Sequence, residues 1–82
     1  MPDNGYIVEF VLYAQGLSPD LIKSSLSEFG EGLVISMLPR GESEKGENFR
    51  IEIRTDDPTF VFDACAQLGR IKSVKVNEEE GG

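Results

Sequence analysis

From Tyr6 onward, apolar and polar residues alternate in a way that only an extended chain can use. Tyr6, Val8, Phe10 and Leu12 fall on one side, and Ile7, Glu9, Val11 and Tyr13 on the other. Gly16 marks a turn, and a helix start follows: Ser18 as cap, Pro19 at the first helical position and Asp20 near the positive end of the dipole. Ile22, Leu26 and Phe29 recur at helical spacing with Leu21 beside them, which predicts a helix over residues 19–29 stopped by Gly30. Leu33, Ile35 and Met37 then alternate with Val34, Ser36 and Leu38, predicting a second strand that ends at Pro39. Residues 40–48 hold two glycines and otherwise only polar or charged side chains, which reads as a loop between strands. Phe49, Ile51, Ile53 and Thr55 alternate with Arg50, Glu52 and Arg54 as a half-buried strand. Asp57-Pro58 repeats the cap-and-proline signal, with Phe60, Val61, Ala64, Cys65 and Leu68 as the inner face of a second helix that Gly69 stops. A last strand covers residues 71–76, and residues 78–82 form an acidic tail.

The element order is therefore βαββαβ within one α+β domain spanning residues 1–82. Right-handed crossovers turn this order into a ferredoxin-like fold: a four-stranded antiparallel sheet ordered 4-1-3-2 with both helices on one face. Phe10, Leu26 and Ile53 are then core residues.

Composition narrows the function. The 82 residues are 39% hydrophobic and 28% charged, a globular mixture, and they leave room for one core. Fifteen acidic against eight basic residues give a net charge of -7, which disfavours phosphate backbones and anionic lipid surfaces as partners. The opening Met1-Pro2-Asp3-Asn4-Gly5 does not resemble a signal peptide, no run is apolar enough to span a bilayer, and the single cysteine has no internal partner. A cytoplasmic location is expected.

The chain has no histidine, so Ser-His-Asp, Cys-His and Cys/His zinc arrangements are excluded. Gly41 and Gly46 lack the Lys-Ser or Lys-Thr of a phosphate-binding loop. Catalysis is not expected, and Cys65 reads as a small buried hydrophobe. The topology does gather carboxylates at one pole: Asp3, Glu28, Glu31, Asp56, Asp57, Glu78, Glu79 and Glu80. The opposite pole carries Glu42, Glu44 and Glu47, offset by Arg40, Lys45, Arg70 and Lys72. Oxygen ligands on loops suit calcium or a similar hard cation, with Asp56, Asp57 and Glu31 as first candidates and Glu28 and Glu78 nearby. No cofactor is required for this reading.

The sheet face away from the helices is expected to present Ile7, Val11, Tyr13, Val34 and Leu38, with Ile71 at its edge and Arg50, Glu52 and Arg54 through the middle. An apolar patch there would mark a homodimer or protein-partner surface. RNA-binding sheets of this topology carry stacking aromatics on central strands; only Tyr13 is available, without a basic surround, so nucleic acid is not expected. Gly81-Gly82 matches the ending of ubiquitin-like carriers, but those open with a β-hairpin, whereas here a helix follows the first strand.

The Gly16-Leu17-Ser18-Pro19-Asp20-Leu21-Ile22 turn, inside a βαββαβ chain, resembles small regulatory modules of the ACT type and uncharacterised small archaeal proteins. That resemblance implies binding or dimerisation without chemistry of its own. The expected function is thus a non-enzymatic binding or regulatory module that associates through its open sheet face. A weak calcium-binding protein and a ubiquitin-like carrier are the alternatives.

Overall fold

The computed structural model describes residues 5–39, 41–43 and 45–78. Six elements follow the expected order: β1 (Tyr6–Ala14), α1 (Pro19–Leu26), β2 (Glu31–Leu38), β3 (Glu47–Thr55), α2 (Pro58–Ala66) and β4 (Arg70–Glu78). The strands form one antiparallel sheet in the order β2-β3-β1-β4, which read from the other edge is 4-1-3-2. β1 and β3 are central, and β2 and β4 are the edges.

Both helices start where local chemistry dictates. Ser18 is extended at the N-cap of α1 and its Oγ accepts from the Leu21 amide at 3.3 Å, with Pro19 next in line. Asp57 does the same for α2, its Oδ1 accepting from the Thr59 amide at 3.0 Å ahead of Pro58. Helix ends depart from the sequence reading. α1 stops at Leu26, and Phe29 sits in the following turn with its amide donating to the Leu26 carbonyl. Gly30 is not the left-handed stop: a Cβ there would fall on the Arg54 carbonyl, so glycine is needed for close approach to β3.

The core lies on one side of the sheet. Val8, Phe10 and Leu12 from β1 and Phe49, Ile51 and Ile53 from β3 are fully buried with Ile22 and Leu26 of α1 and Val61 and Cys65 of α2. Since both helices join this cluster, both cover the same face. Phe62 also packs here, its ring edge-on to Phe10 at 5.6 Å between centroids. It takes the place the spacing assigned to Phe60, which is largely exposed instead. Leu21 likewise points outward rather than joining the apolar face of α1.

Two bulges set the strand phases. In β4, Lys75 pairs with Glu9 and Lys72 with Val11, so Ser73 and Val74 together oppose Phe10. Ser73 takes the left-handed conformation this requires, at φ 53°. Simple alternation puts Ile71 on the open face; the bulge instead leaves Ile71 opposite buried Leu12, packed against the core. In β2, Gly32 at φ 64° absorbs the second bulge, between the Glu31–Arg54 and Val34–Glu52 pairs.

Candidate functional site

Antiparallel partners share a face, so the registers fix the composition of the side without helices. Across the sheet from β2 to β4, four rows run Glu31, Arg54, Ile7, Asn77; then Val34, Glu52, Glu9, Lys75; then Ser36, Arg50, Val11, Lys72; and last Leu38, Asn48, Tyr13, Arg70. All five expected interface residues, Ile7, Val11, Tyr13, Val34 and Leu38, are on this face. They do not form one apolar patch, because Arg50, Glu52 and Glu9 divide them.

The charge here differs from the expectation. Five of the chain's eight basic residues lie on this face: Arg50, Arg54, Arg70, Lys72 and Lys75. Against them, among the described residues, stand Glu9, Glu31 and Glu52, so the described residues of this face sum to +2 in a chain of net charge -7. The Ser73 bulge is responsible, since it turns Lys72 and Lys75 to the same side. Arg50 donates through Nε to Glu9 Oε2 at 2.6 Å, and its Nη2 forms an ion pair with the same oxygen. The Tyr13 ring is held at both ends: its hydroxyl accepts from the Gly46 amide at 3.0 Å, and Lys72 Nζ lies 5.3 Å from the ring centroid. Tyr13 therefore does have a basic surround, contrary to the sequence reading. Val34 projects at the β2 edge with 51% of its surface exposed.

The acidic pole is assembled as the topology requires. Tyr6 pairs with both Thr55 and Glu78, and Glu31 with Arg54, so β1 starts where β3 and β4 end. Glu28, Glu31 and Asp56 line one depression of about 300 Å³ together with Arg54. Asp57 caps α2, and neither it nor Glu78 is part of that lining. Among the described residues, no three carboxylates are grouped closely enough to hold one ion. Asp3, Glu44, Glu79, Glu80, Arg40 and the Gly81-Gly82 ending lie outside the described residues.

Cys65 is fully buried, and burial pushes its thiol up to about 12. A neutral buried thiol is no nucleophile near pH 7, which fits its packing role. No helix among the described residues is long and apolar enough to cross a membrane. The chain matches no protein-family model, no curated protein and no solved structure.

Proposed function

We propose that this protein is a non-catalytic binding module of ferredoxin-like fold that works in the cytoplasm and docks a protein partner on its open sheet face. One observation carries the reading: the uncovered face of a net-acidic chain holds five of eight basic residues, interleaved with Val11, Tyr13, Leu38 and Val34. Such a surface fits a partner that alternates carboxylates with apolar side chains, since opposite potentials steer encounter and the apolar contacts hold it. The ACT-type resemblance of the Gly16–Ile22 turn points the same way, toward binding without chemistry.

The test is an NMR titration with a blocked decapeptide alternating glutamate and leucine. Saturable shifts are expected at Val11, Tyr13, Arg50 and Lys72, and they should weaken with salt. Reversing Lys72 and Lys75 to glutamate should abolish them while the fold persists. Binding that survives both reversals, or a basic peptide perturbing the same face equally, overturns the reading.

A second reading has a narrower basis. Glu28, Glu31 and Asp56 share one depression, and although they are not grouped closely enough to hold one ion as placed, their like charges favour a cation nearby that draws them together. Weak calcium binding at this pole is therefore proposed as a separate property, with Arg54 opposing it.

A further inference from the structure

The opposite side of the molecule carries a groove between the two helices, of about 430 Å³. At one end Phe29, just after α1, stacks on Phe60 of α2, with ring centroids 6.2 Å apart and planes 16° from parallel. Phe60 is 56% exposed and is not among the residues of that stretch of helix that build the core, which are Val61, Phe62, Ala64 and Cys65. Glu28 stands on one wall and Asp63 on the other, both exposed, with Gln67 and Leu68 further along. Among the described residues, no lysine or arginine lines the groove.

We propose that this groove receives an arginine or lysine side chain from a basic peptide segment of a partner, with the cationic head over Phe60 between Glu28 and Asp63. The negative face of an aromatic ring attracts a cation within about 6 Å of its centroid, and two flanking carboxylates strengthen that attraction. The aliphatic stem of such a side chain packs on Leu68 and Ala64, which also line the groove. Charge complementarity extends beyond the groove. With five basic and three acidic residues placed on the open sheet face, the remaining described residues include two basic and eight acidic ones, so the field away from that face draws cations. An acidic segment is repelled here and attracted to the other side. The two surfaces are independent, and the failure of one proposal leaves the other standing.

The experiment uses the isotope-labelled full chain and a blocked dodecapeptide carrying six arginines, alongside the same peptide with citrulline at each arginine. The arginine peptide should give saturable shifts at Phe29, Phe60, Asp63 and Gln67, and the neutral peptide none. Phe60→Leu keeps an apolar side chain but loses the ring, and should weaken binding about fivefold. Glu28→Gln with Asp63→Asn should weaken it further and flatten its salt dependence. Should Phe60→Leu melt early, Phe60→Trp carries the same test and should tighten binding. Equal binding of the citrulline peptide would show an apolar groove only. Unsaturating shifts spread over every acidic position would show general attraction, and unchanged affinity without the aromatic ring would remove Phe60 from the site. Each of these results overturns the proposal.

Discussion

The Thr55 hydroxyl donates to the Phe29 carbonyl at 2.6 Å and accepts from the Asp57 amide at 3.1 Å. One buried side chain at the end of β3 thus ties the turn after α1 to the cap of α2. The Asp57 carbonyl, 3.3 Å from the same oxygen, is the weaker claimant on the single proton. Replacing Thr55 by valine keeps the shape but leaves a carbonyl and an amide without this partner in a part-buried position. We expect Thr55→Val to cost about 1–3 kcal/mol in a urea melt and Thr55→Ser markedly less. A cost within a few tenths of wild type would mean water replaces the hydroxyl freely.

Cys65 gives a pH-dependent prediction. Its thiol is raised from 9.0 to about 12 by burial, so the folded protein holds the proton where the unfolded chain releases it. Stability from this group is fully present below pH 9 and declines as pH rises from there toward 12, by up to about 1.4 kcal/mol per pH unit. Cys65→Ala should remove that decline, although the cavity costs stability at neutral pH. A thiol reagent should label wild-type protein at pH 8 only as fast as it unfolds. Rapid labelling in native buffer would place the thiol in an open environment.

Most of the fold is legible in the sequence because short-range chemistry sets it. Ser18-Pro19 and Asp57-Pro58 announce both helix starts, and period-two patterns in β1 and β3 identify six core residues directly. Departures arise where a partner element decides. The β4 bulge sits on Ser73, a residue with no special preference for positive φ, so alternation through residues 71–76 gives the wrong side for Ile71 and hides the pairing of Lys72 and Lys75 on one face. Gly30 looks like a helix stop because glycine often is one, yet here it admits the β3 backbone. Phe60 and Phe62 are equally apolar in the sequence, and what separates them is a tertiary contact, the packing of Phe62 on Phe10. The carboxylate pole follows from strand order alone, whereas the Arg54 side chain in its depression depends on register.

Arg54 decides how the acidic pole meets a cation. It lines the same depression as Glu28, Glu31 and Asp56, and its fixed positive charge offsets part of theirs. Arg54→Gln should therefore tighten calcium binding severalfold over wild type, read as saturable NMR shifts at these three residues in ample monovalent salt. Calcium should outcompete magnesium, which demands a stricter octahedron than loop carboxylates offer. Identical, unsaturating shifts in both proteins would reduce the pole to solvated surface.

The two edges of the sheet are defended unequally, and this predicts how the protein fails on heating. β4 carries Arg70, Lys72 and Lys75 and is bent by its bulge, both of which discourage pairing with another chain. β2 has no charged residue from Gly32 to Leu38, and Val34 and Met37 are 51% and 57% exposed on opposite sides of it. Only the Gly32 bulge at its start interrupts an otherwise regular, uncharged edge of high β-propensity. Partial opening of the domain leaves this strand as the readiest template for intermolecular pairing. Met37→Lys should thus raise the temperature at which light scattering begins by several degrees, while the calorimetric melting temperature moves little. Lys72→Val with Lys75→Val should lower the onset, since the second edge then loses its charges. Scattering that follows the melting temperature alone in every variant would show that the whole unfolded chain, rather than the β2 edge, drives aggregation.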